Sequence, residues 1–216
     1  MSRSRTVRDE RAGATREALL DAAERLFAER GIHAVSNRQI SEAAGQGNNA
    51  AVSYHFGTKA DVVRAIIRRH AVPMEGARVR MLEEIGDSAD LRDWVACLVR
   101  PVTGHLDDLG TPSWYARFTV QAMADPALYE IMIEESFLAS PSLPWLSDGL
   151  ARHLPELPVD VHQERAVMAR HLILQMAAER ERALAENRFP VRPTWRATAD
   201  GLIDAIVALW RAPVTR

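Results

Sequence analysis

The sequence predicts an all-α fold: a three-helix helix-turn-helix head at the N-terminus and a larger helical body behind it. Three observations carry this. Apolar residues recur at helical spacing along the 216-residue chain, and no strand-like alternation runs beyond a few residues. Prolines (112, 126, 141, 144, 155, 158, 190 and 193) punctuate the gaps between periodic segments. Apolar residues make up 47% of the chain, enough to bury a core, which excludes global disorder.

The first helix is expected over about residues 15–29, with Thr15 as N-cap and Leu19, Ala22, Ala23, Leu26 and Phe27 on one face. Gly31 suits the left-handed position after its last turn. Ahead of it, Arg3, Arg5, Arg8 and Arg11 form a basic arm. The arm reads either as a solvated tail or as a contact to phosphate or the minor groove. Ser36 with Gln39 three residues on is a capping-box pattern opening the second helix, with Ile40, Ala43 and Ala44 inward and Gly45 at its end. The third starts near Asn48 or Asn49 and ends at Gly57. Thr58 with Asp61 opens the fourth, whose apolar face is Val62, Val63, Ile66 and Ile67, and Pro73 is expected to end or kink it. Further helices are expected at about 74–85, 88–108, 113–124, 127–138, 143–153, 160–187 and 194–211. The domains are read as 1–60, the head with its basic arm, and 61–216, a larger helical domain.

The net charge of −2 hides an asymmetry. Residues 1–70 hold 12 Lys+Arg against 8 Asp+Glu, and the rest hold 15 against 21. A basic head on an acidic body suits a DNA reader, because phosphate neutralisation supplies most non-specific affinity. The single cysteine, Cys97, excludes an internal disulfide framework and any Cys-rich zinc site. There is no apolar run of about 18 residues and no apolar core after the N-terminal arginines, so neither a membrane span nor a signal peptide is expected, and the protein reads as cytoplasmic.

The stretch Ser36–Lys59 is the densest in information: a capped helix, a Gly-bearing turn, a compact second helix and the start of another. Together with Leu26–Gly31, Ser36, Arg38, Ile40, Ala44, Gly45 and the Tyr54–Asp61 block, it resembles the TetR family of bacterial transcriptional regulators. The likeness covers residues 15–62. It implies a homodimeric, ligand-responsive repressor that reads DNA with its first three helices and binds a small molecule and a second subunit with the later ones. Between Gly45 and Phe56 the chain has one residue more than the commonest family spacing, which lengthens the turn. The resemblance places Phe56 at a buried aromatic position, His55 at a phosphate-contacting one, and Lys59 near a phosphate at the start of the fourth helix.

The candidate DNA-binding residues are Arg38, Gln46, Asn48, Asn49, Ala50, Ser53, Tyr54, His55 and Lys59. Asn pairs bidentately with adenine, small alanines allow close approach to a thymine methyl, and Tyr, His and Lys donate to phosphate. Each has a plainer alternative: Asn48 and Asn49 as caps, Tyr54 as a surface ring, Arg38 on a solvated face. In the second domain, aromatics and methionines at helical spacing read as core or as the lining of an apolar cavity. The pocket candidates are Trp94, His105, Trp114, Phe118, Gln121, Met132, Met168, His171 and Gln175, and Arg117 is a further polar candidate, since a buried polar group requires a partner. Residues 166–178 are apolar almost all round, and Trp195, Leu202, Ile203, Ile206 and Trp210 form a broad stripe. Two such helices suit a four-helix dimer bundle, with Leu174 also at the interface, or else a monomeric core.

No His-Glu-x-x-His motif, Gly-x-Ser-x-Gly elbow, phosphate loop or dinucleotide fingerprint is present, so no catalytic residue, metal or cofactor is expected. The reading is a dimeric transcriptional regulator, a repressor that binds a pseudo-palindromic operator and is released by a small, largely apolar effector. The alternative is a helical small-molecule-binding protein or enzyme whose helix-turn-helix does not bind DNA.

Overall fold

The computed structural model describes residues 2–154 and 156–214, with side chains from Arg11 onward. The described residues form ten helices and no strand: α1 Ser2–Arg30, α2 Asn37–Ala43, α3 Ala51–His55, α4 Lys59–Ile85, α5 Leu91–Leu109, α6 Tyr115–Met123, α7 Pro126–Leu138, α8 Leu143–His153, α9 Val159–Ala185 and α10 Trp195–Arg211.

Side-chain caps fix most helix starts. Ser36 and Thr58 each close a full capping box, with Gln39 and Asp61. Asp90, Asp125 and Thr194 accept from backbone N–H groups in the first turns of α5, α7 and α10. Each satisfies a donor the helix itself leaves orphaned. Gly31, Gly45 and Gly57 take positive φ after the first three helices, where a side chain is strained.

Two expectations need correction. The first helix begins at Ser2, not near Thr15, so the arm's backbone belongs to α1; the side chains of Arg3, Arg5 and Arg8 lie outside the described residues. α4 continues through Pro73 to Ile85 instead of stopping there. Val72 and Pro73 are both exposed, so the hydrogen bond that proline removes is lost on a face open to water.

Two apolar clusters hold the chain. One joins Leu19, Leu20, Ala23, Leu26 and Phe27 of α1 with Ile40, Val52, Val62 and Ile66, then runs on to Phe118 and Ala122 of α6. Phe27 and Phe118 stack 6.2 Å apart. The other packs Trp94, Val95 and Val99 of α5 against Ile203, Ile206 and Trp210 of α10. Helix α1 therefore shares its core with the body's helices.

Candidate DNA-reading head and ligand cavity

In the head, α2 ends at Ala43 and the chain turns through residues 44–50 before α3 begins at Ala51. The turn is long, as the spacing predicts, and α3 is a short five-residue helix. Asn48 Oδ1 accepts from the Ala50 N–H at 2.9 Å, so this side chain builds the turn ahead of α3. Gln46 Nε2 donates to the Ala44 carbonyl at 3.2 Å and is half-buried. Asn49, Ala50, Ser53 and Tyr54 are exposed; Tyr54 has 83% of its surface in solvent. Its inward neighbours, Ala51 and Val52, are core. The half-buried His55 packs edge-on to Tyr54 at 5.1 Å. Asn37 Nδ2 donates to Ser53 Oγ at 3.5 Å, tying α2 to α3. Arg38 pairs with Glu42 one turn on, and the Lys59 ammonium donates to the Ile32 carbonyl at 3.1 Å. Phe56 is half-buried against the core, under the Arg16 guanidinium at 4.9 Å.

Polar ties hold α1, α4 and α7 together. Glu135 of α7, only 2% exposed, receives Arg68 Nε at 2.5 Å and Nη2 at 2.9 Å, with Arg64 Nε at 3.3 Å. His33, after α1, pairs with Asp125 at the start of α7. Arg69 pairs with Asp21 and Glu24 of α1.

The body holds an apolar cavity of about 430 Å³ between α4, α5, α6, α7, α8 and α9, with Trp210 of α10 also in its lining. That volume lies within the range of small-molecule sites. One stripe of α4 (Ile67, Ala71, Met74, Arg78) forms a wall, faced by Met123 of α6 and Met132 of α7. Two guanidiniums, Arg78 and Arg170, interrupt the apolar lining. Arg78 is buried and pairs with Glu75 at 2.7 Å; burial pulls its guanidinium below the ordinary arginine range against the opposing pull of Glu75. Arg170 donates to the Tyr129 hydroxyl at 3.1 Å. The Nε atoms of both arginines and Trp210 Nε1 are buried without a hydrogen-bond partner.

Of the sequence-based pocket residues, Met132 lines the cavity and the others do not. Trp94 is wholly buried in the second cluster and donates to the Ser88 carbonyl. Phe118 stacks in the first cluster, and Trp114 packs at its edge as the residue before α6. His105 is bound to His70, and Gln121 is exposed. Met168, His171 and Gln175 are exposed on α9, because Arg165, Ala169, Ile173 and Ala177 take its inward face. Arg117 meets Glu181 of α9, a buried carboxylate that also accepts the Ala116 and Arg117 N–H groups at the start of α6. The interface residues shift likewise. Trp195, Leu202, Ile203, Ile206 and Trp210 are each at most 5% exposed inside this one chain, so a second subunit has no access to them. Leu174 lines the cavity.

Arg78, Arg170 and Glu135 are the residues that sequence reasoning missed. Arg78 continues the Ile67, Ala71, Met74 spacing, and that interruption of an apolar stripe by a charge was the available signal. Among the described residues no group of His, Cys, Asp or Glu is placed to hold a metal, and no helix is long and apolar enough to cross a membrane. Burial pushes the Cys97 thiol up to about 11, which removes it as a nucleophile.

A capped helix-turn-helix with an exposed second helix, set on a helical body around an apolar cavity, is the architecture of a DNA-binding transcriptional regulator. Residues 19–66 match the family model described as bacterial regulatory proteins, tetR family. The chain resembles that family in sequence over this head and has its fold over nearly its whole length. A TetR family transcriptional regulator from Thermus thermophilus, PfmR, is 19% identical with a TM-score of 0.54, over 93% of this chain and 97% of that one. A putative TetR-family regulator from Rhodococcus sp. is 18% identical with a TM-score of 0.52, over 92% and 99%. No curated protein matches the chain.

Proposed function

We propose that the chain is a cytoplasmic, ligand-responsive transcriptional repressor that binds a pseudo-palindromic operator as a homodimer. Residues 1–60 are its DNA-binding domain and 61–216 its ligand-binding and dimerisation domain. The observation that carries this reading is the outward face of α3: Ser53 and Tyr54 stand in solvent beside Asn49 and Ala50, while Ala51 and Val52 hold the helix in the core. An exposed tyrosine at the end of a short second helix is placed to donate to phosphate, with the preceding turn at base edges. Arg38, Gln46, Asn48, His55 and Lys59 keep their assignment to DNA. The exposed α9 face of Val167, Met168, His171, Gln175 and Met176 takes the role of dimer surface.

Effector binding in the cavity acts on DNA affinity only if the effector distinguishes two arrangements of the head. Helix α7 supplies the means. Met132, Ile133, Ser136 and Phe137 line the cavity, while Glu135 between them holds Arg64 and Arg68 of α4, the helix that starts directly after α3. An effector that moves α7 moves this clamp.

Genomic DNA selection with purified protein, followed by footprinting at two salt concentrations, tests the reading. A symmetric protected site with half-sites about 34–36 Å apart, or a multiple, and affinity falling steeply with salt is expected. A single asymmetric half-site overturns the dimer, and no enrichment at all overturns DNA binding.

A further inference from the structure

We propose that the cavity takes an amphiphile with one anionic head, a carboxylate on an apolar body, with the head against Arg170 and Arg78. This rests on the ligand-binding reading of the same cavity.

Among the described residues only two that line the cavity are charged, both arginines, and no Asp or Glu lines the wall. Glu75 answers Arg78 from outside the lining, and its two oxygens also receive the Ser142 N–H and hydroxyl at 2.8 Å. Arg170 has no carboxylate partner among the described residues, only the Tyr129 hydroxyl and ring. One positive charge is therefore left over inside an apolar wall.

The hydrogen-bond inventory points the same way. The unpartnered buried side-chain atoms lining the cavity are Arg78 Nε, Arg170 Nε and Trp210 Nε1, and all three are donors. Buried donors without acceptors are costly, and an ionised carboxylate is acceptor-only, so it answers whichever of these donors it reaches and the charge together. A neutral apolar guest leaves all three unanswered. A cationic guest faces two guanidiniums. A doubly charged head overshoots the single uncompensated charge. The remainder of the wall is aliphatic, with Met74, Met123 and Met132 providing flexible thioethers that adapt to an apolar body.

The test uses the full chain and a matched pair of probes, dodecanoate and dodecanol, titrated calorimetrically near neutral pH, with Nile red as a neutral apolar reporter. Dodecanoate is expected to bind at least about tenfold tighter than dodecanol, the scale of one charge-assisted hydrogen bond. R170Q is expected to remove most of that preference, read as the ratio of the two affinities, with Nile red reporting that the cavity still forms. R78Q should act in the same direction, but it disturbs a buried ion pair, so the half-buried Arg170 carries the decision. Equal affinity for the two probes, or a preference that survives R170Q, overturns the proposal. Nile red binding without dodecanoate binding also overturns it and leaves the cavity reading standing. If Nile red and both probes fail to bind, the cavity reading falls as well.

Discussion

His70 Nδ1 lies 2.7 Å from His105 Nε2, and the other nitrogen of the His70 ring lies 2.8 Å from Glu24 Oε2. The His70 ring is buried and stacked on Tyr115 at a centroid distance of 3.9 Å. One imidazole thus joins α1 of the head to α4 and α5 of the body, roofed by α6. Both ring nitrogens are engaged, so the two neighbours fix the orientation of the ring.

Acid should loosen this junction. Burial, reinforced by the neighbouring His70, pulls His105 from 6.5 down to about 4. Burial alone would raise Glu24, but hydrogen bonding and charge from His70 and Arg69 outweigh it and hold the carboxyl below its ordinary value. Both folded-state values are depressed, so the unfolded chain takes up each proton first. The His105 contribution is complete above 6.5 and lost as pH falls toward about 4, and Glu24 adds a loss below the ordinary carboxylate range. Melting temperatures should therefore decline across that window. H105Q, whose amide can still bond His70, should decline less steeply. An unchanged slope in H105Q would assign the loss to other groups.

Gly149 leaves no room for a methyl group. A Cβ there would stand 1.9 Å from Cζ3 of Trp94, which is wholly buried. G149A should cost about 1–3 kcal/mol through overpacking, read in urea unfolding. Because Leu146 and Leu150 on either side line the cavity, the displaced α8 should also weaken Nile red binding. Wild-type stability in G149A would mean that α8 shifts without cost.

The helices were legible in the sequence because their ends are local chemistry. Ser36 with Gln39 and Thr58 with Asp61 need only three residues of context, and both capping boxes form. The cavity was not legible, for a physical reason: periodicity tells which face of a helix is apolar but not what covers it. The α10 stripe from Leu202 to Trp210 reads the same against a second subunit or against α5, and it packs on α5. Along α9, apolar residues lie on both faces, so Met168 and Ile173 look equivalent in sequence while one is exposed and the other buried. Pro73 does not end α4, because a helix packed along its other face by Ile66, Ile67, His70 and Ala71 can carry one exposed proline.

The Glu135 clamp should be measurable without DNA. E135Q keeps the side chain's size but removes the charge that Arg64 and Arg68 share. Arg68 is largely exposed and can turn to solvent, so the loss should be only about 1 kcal/mol. The effect should be local: amide exchange should rise in α3 and the first turns of α4 more than in α10. Uniform destabilisation across the chain would remove α7 as a specific link to the head.

Tyr54 and Lys59 should separate DNA binding from folding. Tyr54 is 83% exposed, so Y54A should leave stability within about 0.5 kcal/mol of wild type. If Tyr54 donates to phosphate, operator affinity should fall about tenfold, similarly for all sequences. Lys59 differs, because its ammonium already holds the Ile32 carbonyl. K59Q should cost about 0.5–1.5 kcal/mol of stability and lower the salt dependence of binding by about one unit, the signature of one lost phosphate contact. The double variant should lose operator binding and keep Nile red binding, because neither residue lines the cavity. If the double variant binds the operator with wild-type affinity and salt slope, α3 is not the reading helix, and the exposed face on which the DNA-binding assignment rests has another use.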